Sequence, residues 1–238
     1  LSNYLDYYIE CKLNDFELNK ISKPTFTKYK TIRKILNEFQ NFKCRSYKIE
    51  EVNKDFIKEI EVYCKNELNY NINTLGRFIK FIKTIILHAK EEKDIQVSKD
   101  LSKIQGYTTK VKKITLNFEE LEIIENLTFT NDYLENARDW LLIGCYTGQR
   151  VSDLLNFTKQ NIVNVQGTEL IQIKQTKTNK DVSIPIHSKV QKILNKRNGN
   201  FPRKITDQKF NLYIKEVCKI ANLNELTNGI LFNSETKI

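Results

Sequence analysis

The sequence is poor in the residues that build metal sites, disulfide frameworks and tight turns. Its 238 residues contain no methionine, two histidines, three prolines, seven glycines and one tryptophan. Because His88 and His187 both stand far from other ligand-type residues, we predict no metal site. The five cysteines are odd in number and never spaced as Cys-x-x-Cys. This argues against a disulfide framework or a structural zinc site and indicates a reducing compartment such as the cytoplasm.

Long apolar segments are also missing. No apolar run approaches the length of a membrane span, and no stretch has the pattern of a signal peptide, so we expect no membrane partner. The sequence begins at Leu1 and lacks methionine, which predicts a processed, trimmed or incompletely represented chain.

Positive charge is in excess. Lys and Arg number 39 against 29 Asp and Glu, which gives a formal net charge of +10. Such a balance favours a polyanionic partner, nucleic acid before an anionic membrane. The alternative is a basic surface that has no specific binding partner.

The first hundred residues have the periodicity of helices. Apolar residues recur at spacings of three and four, and short polar breaks separate the periodic segments. Four helices with short connections predict a compact bundle over residues 1–105. The predicted helical segments are 1–13, 23–42, 53–68 and 71–93.

The second half is predicted to be mainly helical with one small sheet. A linker over 106–116 is predicted where the helical period is lost, followed by a domain over 117–238. Asn117 followed by Glu120 has the pattern of a capping box at a helix start. Alternation over 168–186 predicts an antiparallel hairpin, although its turn lacks Asn-Gly. The remaining helices are predicted over 131–148, from 150, over 187–198 and over 206–223.

Arg150 lies at the predicted start of a helix, where unpaired N–H groups carry partial positive charge. A cation there needs an anion, and Asp153 is three residues away on an adjoining face. One interpretation is a solvated ion pair worth under about 1 kcal/mol. The other is a phosphate held by Arg150 and nearby N–H groups, with Asp153 orienting the guanidinium.

Three lysines crowd the tip of the predicted hairpin: Lys174, Lys177 and Lys180. A lysine cluster at such a place most often prevents unwanted strand pairing. Alternatively, one lysine is delivered to a substrate as a cation or a general acid.

The segment LLIGCYTGQRVSDLLNF, residues 141–157, resembles the first arginine box of the tyrosine recombinases, the phage integrase family. The usual form of that box is T-G-x-R-x-[SG]-E/D-[LI]-x-x-L. IQIKQTKTNKDVSIPI, residues 171–186, resembles the hairpin that carries the family's catalytic lysine. TLGRFIKFIKTIILHAKEE, residues 74–92, resembles the core-binding domains of integrases from mobile elements of Bacteroidetes-like bacteria.

The resemblance implies a fold, an activity and roles for three residues. The fold would be a helical core-binding (SAM-like) domain ahead of a mostly α catalytic domain with a small antiparallel sheet. The activity would be site-specific cleavage and rejoining of DNA through a 3′-phosphotyrosine, with neither metal nor cofactor. Arg150 would stabilise the phosphorus transition state, Asp153 would support the geometry, and Lys177 would protonate the departing 5′ oxygen.

The resemblance also implies partners. These are double-stranded DNA recombination sites, a homo-tetramer on DNA, and accessory DNA-bending proteins. The DNA-contact candidates share basic or hydroxyl side chains, and any one of them could instead lie on a solvated helix face. They are Lys28, Lys30, Arg33, Thr74, Arg77, Lys80, Lys83, Lys174 and Lys180.

One part of the family pattern is missing from the sequence. The second box, His-x-x-Arg followed by the nucleophilic tyrosine, is absent and is expected just past Ile238. Tyr213 comes too early to be the nucleophile and is predicted to serve in helix packing. Besides an incomplete recombinase, the alternatives are a catalytically inactive DNA-binding relative or regulator, and a helical scaffold whose basic charge is incidental.

Overall fold

The computed structural model describes residues 1–111 and 113–225, which fall into two units. The second unit begins at Lys113, inside the segment predicted as a linker. The predicted end of the second domain, residues 226–238, lies outside the described residues. The binding and catalytic roles assigned to the two domains stay predictions.

The first unit is built from four long helices, as the apolar periodicity predicts. Asn53 caps the helix Lys54–Asn66 (α3) and Asn71 caps the helix Ile72–Lys93 (α4), each by accepting bonds from backbone N–H groups of the first turn. Pro24 lies in the first turn of the helix Lys23–Phe42 (α2). The apolar stripes of the four helices meet in one core, with Phe39 and Ile86 fully buried. The helices are α1 Ser2–Glu17, α2 Lys23–Phe42, α3 Lys54–Asn66 and α4 Ile72–Lys93. Short 3₁₀ turns cover Ile49–Glu51 and Lys99–Lys103.

The start of the predicted linker is packed onto this unit. Thr109 exchanges two hydrogen bonds with the Asn73 side chain, at 2.7 and 3.1 Å. A Cβ on Gly76 would come within 1.9 Å of the Tyr107 carbonyl oxygen, so only glycine allows the backbone to cross α4 there. The Tyr107 hydroxyl donates to Glu61 at 3.0 Å. Residues 106–109 are therefore part of the first unit. The two backbone segments can touch because residues 76 and 106 are both glycine and carry no Cβ.

The second unit packs around a largely buried helix, Asp132–Thr147 (α6). It also carries a three-stranded antiparallel sheet of Ile162–Val165 (β1), Thr168–Lys174 (β2) and Asp181–Pro185 (β3), in the order β1-β2-β3. The capping box at Asn117 and Glu120 is confirmed, with bonds of 2.8 and 2.7 Å. Strand β1 was not predicted, since its alternation extends over only four residues. The elements are α5 Phe118–Asn126, α6 Asp132–Thr147, α7 Val151–Leu154, β1 Ile162–Val165, β2 Thr168–Lys174, β3 Asp181–Pro185, α8 Ser188–Lys196 and α9 Asp207–Ile220.

Helix α6 is held by polar groups as well as by apolar packing. Asp139, only 1% exposed, pairs with Arg138 at 2.8 Å and with Arg197 at 2.7 Å. The fully buried Trp140 donates its indole N–H to the Arg203 carbonyl at 3.0 Å. These bonds fix the orientation of α6, whose last turn leads directly into the Arg150 segment.

Candidate functional site

Arg150 stands at the end of a sharp turn after α6. Gly148 ends that helix in the left-handed conformation, with φ 64° and ψ 19°, and its N–H bonds to the Gly144 carbonyl at 2.9 Å. Arg150 is the residue before α7, and its side chain is 43% exposed. Because α7 is only one turn long, a helix dipole contributes little here. The helix dipole therefore carries little weight at Arg150, and the anion that pairs with this guanidinium has to be found among its neighbours.

Asp153 supplies that neighbour from a buried position. Its side chain is 2% exposed, and its Oδ2 lies 3.9 Å from the Arg150 Nη1. Its Oδ1 accepts a hydrogen bond of 3.0 Å from the Thr176 backbone N–H, which belongs to the β2–β3 turn. Within the described residues, the buried Oδ2 has no hydrogen-bond partner. One carboxylate thus faces the arginine with one oxygen and holds the hairpin turn with the other.

The β2–β3 turn is fastened at a second point. The Gln175 side chain donates to the Gln149 Oε1 at 3.0 Å, and Gln149 is the residue that precedes Arg150. The turn is closed internally by a bond from the Gln175 N–H to the Lys180 carbonyl at 2.8 Å. Two tethers therefore hold the turn of the hairpin against the Arg150 turn, although they join residues that are 23 and 26 positions apart in the chain.

The three hairpin lysines have different places on this turn. Lys177 lies within the turn, and its side chain is exposed to solvent. It directly follows Thr176, whose backbone N–H is bonded to Asp153. Lys174 ends β2 opposite Asp181 in the ladder, and Lys180 precedes β3. The structure therefore brings Arg150, Asp153 and the Lys177 turn together, with Lys174 and Lys180 at its margins.

Sequence reasoning missed Gln149, Gln175 and Thr176. Thr176 contributes through its backbone, which carries no sequence signal at all. Gln149 occupies the variable position of the T-G-x-R pattern. Its role becomes visible only in the structure, where its side chain accepts a hydrogen bond from Gln175. Tyr213 is half-buried on α9 with its ring 4.7 Å from that of Tyr133, consistent with a packing role.

The basic candidates of the first unit separate into two groups. One group lines a groove between α2 and α4: Lys28, Thr74, Arg77 and Lys80. The others are placed differently. Lys30 stands over the Phe26 ring at 4.7 Å, and Arg33 pairs with Asp6.

Lys83 departs from the face-sharing that its spacing predicts. Its ammonium donates to the carbonyls of Ser102 and Ile104, at 3.3 and 2.7 Å. It therefore stabilises the return of the chain after α4 and does not line the groove with Arg77 and Lys80.

Among residues 1–111 and 113–225, no group of His, Cys, Asp and Glu is arranged to hold a metal ion. In the same residues, no helix is both long and apolar enough to cross a membrane.

Comparison with known proteins shows both a domain and a fold. Residues 1–104 match the family described as phage integrase SAM-like domain. A comparison with curated proteins finds no match.

Among solved structures, a lambda integrase dimer bound to a COC′ core site superposes with a TM-score of 0.73 at 16% identity, covering 96% of this chain and 83% of that one. A lambda integrase tetramer bound to a Holliday junction gives 0.70 at 16% identity, covering 95% and 67%. XerH recombinase bound to a palindromic difH substrate gives 0.65 at 15% identity, covering 96% and 79%. At these identities the likeness establishes the fold, and the predicted fold class is confirmed.

Proposed function

We propose that this chain is a member of the tyrosine recombinase family and forms the core-binding and catalytic part of a site-specific DNA recombinase. The match of its N-terminal domain and its fold support the proposal. The reaction would cleave and rejoin DNA strands through a 3′-phosphotyrosine. The partner would be double-stranded DNA carrying recombination sites, bound by the excess of positive charge.

The single observation that carries the proposal is the double role of Asp153. A buried carboxylate that faces Arg150 with one oxygen and accepts the Thr176 N–H with the other fixes a guanidinium and a lysine-bearing turn in one place. A phosphate entering this site would meet two cations from different segments of the chain. A merely solvated Arg–Asp pair would need neither the burial of the carboxylate nor the tether to the hairpin.

Each of the three residues then has a chemical task. Arg150 would stabilise the charge that builds on the phosphate oxygens as the phosphorus becomes five-coordinate. Lys177 would give a proton to the 5′ oxygen as the bond between that oxygen and phosphorus breaks. Asp153 would act as a positioning residue for both. Cations of the protein would supply the charge stabilisation, so we propose that neither metal nor cofactor takes part.

We further propose assembly on DNA. The structures with this fold include a tetramer on a Holliday junction, so four copies of this chain would act on two DNA sites. Accessory DNA-bending proteins are proposed as further partners. The bacterial cytoplasm, in association with the nucleoid, is the proposed location.

A second candidate function rests on a different observation. The 238 residues contain no His-x-x-Arg, because His88 is followed by Ala-Lys-Glu and His187 by Ser-Lys-Val. If the full-length protein also lacks the second box, it would bind DNA as a regulator or architectural protein and perform no chemistry. Salt-sensitive DNA binding is expected under both functions, and only cleavage separates them.

Covalent capture of DNA tests the proposal. The natural full-length protein is incubated with a duplex nicked next to the cleavage site, so that a short fragment diffuses away and the phosphotyrosine adduct accumulates. We expect an adduct from the natural protein and about 100-fold to 1,000-fold less from Arg150→Ala. Lys83→Ala serves as a matched control, because this lysine is bonded to carbonyls far from the Arg150 turn in sequence. Salt-sensitive binding without any adduct would favour the second function.

A further inference from the structure

The groove between α2 and α4 has an apolar interior and a basic rim. Its volume is about 500 Å³, and its walls include the buried Ile32 and Phe78 and the half-buried Phe81. Arg77 and Lys80 stand exposed among the lining residues, which include no Asp or Glu. A ligand that suits this surface carries negative charge at its edges and apolar groups between them.

Three of the four threonines that line the groove use their hydroxyl donors inside their own helices. The hydroxyls of Thr27, Thr31 and Thr84 donate to carbonyls of their own helices, those of Lys23, Thr27 and Lys80, each at 3.0 Å. With its donor used inside the helix, each of these side chains offers its γ-methyl as contact surface. Phe81 is held in place by an edge contact with the Tyr29 ring at 5.7 Å. The apolar character of the groove is therefore fixed by the fold.

We propose that this groove reads the C5-methyl groups of thymine in the major groove of A·T-rich duplex DNA. The inference rests on the DNA binding proposed above and adds a base preference to it. Thymine presents the one methyl group among the four bases on that edge, and threonine methyls and phenylalanine rings are its usual partners. The phosphates that flank the base edges would lie against Lys28, Arg77 and Lys80, the three cations that line the groove.

The dimensions agree with this occupant. The lining of α2 runs from Thr27 to Ile35, which is about 12 Å of helix, and that of α4 runs from Thr74 to Thr84, which is about 15 Å. At about 3.4 Å per base pair these lengths span about four base pairs. A major groove about 12 Å wide admits a helix. More than one thymine methyl can therefore reach the groove at once.

Removing only the methyl group tests the proposal. Binding of this chain to a 20-base-pair alternating dA·dT duplex is measured by fluorescence anisotropy, together with the same duplex carrying deoxyuridine in place of every thymidine. We expect the uracil duplex to bind about fourfold more weakly for each methyl contacted. The slope of affinity against salt should not change, because the phosphates are the same. A G·C duplex with 5-methylcytosine should bind more tightly than its unmethylated form, since the methyl occupies the same edge.

A pair of variants assigns the effect to the groove. Thr31→Ser keeps the hydroxyl and removes the γ-methyl, whereas Thr31→Val keeps the methyl and removes the hydroxyl. Because Thr31 is exposed on α2, both variants are expected to fold. We expect Thr31→Ser to reduce the preference for thymine over uracil and Thr31→Val to keep it.

The outcomes separate this inference from the function on which it rests. Equal, salt-sensitive binding to the thymine and uracil duplexes would overturn methyl reading and leave DNA binding intact. If Thr31→Ser leaves the preference for the thymine duplex unchanged, the methyl groups are recognised by another part of the chain. That result would overturn the role of the groove. Absence of salt-sensitive binding to any duplex would contradict the proposed function itself.

Discussion

The two units of the chain differ in where they place polar and charged groups. Among the described residues, the core of the first unit buries a single polar side chain, Gln40, whereas the second unit buries Asn136, Arg138, Asp139, Thr147 and Asp153. Ion pairs of the first unit are at least partly exposed, as in the pair of Lys43 with Glu59, where both side chains are more than a third exposed. In the second unit two carboxylates are nearly inaccessible to solvent.

This difference suits the roles proposed for the two units. A bundle held by apolar packing leaves its surface cations available, and four candidate contact residues come together in one groove. The proposed site has to hold a guanidinium close to a lysine-bearing turn. The buried Asp153 carboxylate contributes one charge-assisted hydrogen bond to the turn and an ion contact of 3.9 Å with Arg150.

The largest expected effect comes from the buried ion cluster on α6. Asp139→Ala leaves Arg138 and Arg197 without their shared partner, so we expect a loss of about 3–5 kcal/mol in the free energy of unfolding. Urea unfolding followed by fluorescence measures it, because Trp140 is the sole tryptophan and lies on the same helix.

The matched control is Asp132→Ala, which removes an ion pair with Arg203 where both side chains are well exposed. Such a pair contributes about 0–1 kcal/mol. Similar losses from the two variants would contradict the contrast between buried and surface charges.

The next effect concerns the tethers of the hairpin turn. Asp153→Ala removes the acceptor of the Thr176 N–H, so hydrogen exchange of that amide should accelerate by about tenfold to 100-fold. Gln149→Ala removes the other tether, a hydrogen bond between two neutral amide side chains. This variant should accelerate exchange of the Thr176 amide by less than about tenfold. Exchange measured by NMR gives both values. Unchanged exchange in Asp153→Ala would mean that the carboxylate does not hold the turn.

The same contrast explains how far the sequence could predict the molecule. The stripe of Leu75, Ile79, Ile82 and Ile86 on α4 is visible as a helical period, so the bundle is predictable from apolar spacing alone. Arg150, Asp153 and Lys177 could be selected by residue type and by resemblance. The bond that joins them uses a backbone N–H, and backbone groups are the same at every position.

The sequence does not reveal where a surface cation has a partner within the fold. Lys80 and Lys83 have the same residue type and compatible helical spacing, yet only the fold places carbonyls of residues 102 and 104 beside Lys83. Long-range partners of this kind depend on how the chain returns after α4, which local periodicity does not encode.

A smaller effect distinguishes these two lysines in DNA binding. Lys80→Ala should weaken binding to a duplex and reduce the slope of log affinity against log salt by about 1. Lys83→Ala should leave the slope unchanged and lower the free energy of unfolding by about 1 kcal/mol, since its carbonyl contacts are lost. Titrations at several salt concentrations measure the slope. An equal reduction in both variants would return Lys83 to the DNA-contact group.

The smallest expected effect is a pH dependence of the first unit. Burial beside the rings of Tyr4 and Tyr8, with a smaller contribution from Lys12, lowers the pKa of His88, whose Nδ1 lies 2.7 Å from the Tyr4 hydroxyl. The unfolded chain therefore binds the proton more readily. Stability should fall as the pH drops below the ordinary histidine pKa of about 6.5 towards the lower folded value.

Urea midpoints at pH 7 and pH 5.5, followed by circular dichroism, measure this change. His88→Gln should remove the part of it that arises from this histidine. A midpoint that rises on acidification of the natural chain would contradict the direction of the shift.

The central claim is that the Arg150 turn and the Lys177 turn form one site for a DNA phosphate, with Lys177 as the proton donor. It is tested most directly by cleavage of a duplex whose scissile 5′ oxygen is replaced by sulfur, because a thiolate leaves without needing a proton. In the natural full-length protein, Lys177→Ala should cleave the ordinary duplex about 100-fold to 10,000-fold more slowly and the sulfur duplex at nearly the natural rate. Arg150→Ala should remain slow on both, since stabilisation of the phosphate charge is still lost. Equal impairment of Lys177→Ala on the two duplexes would contradict the role assigned to this lysine.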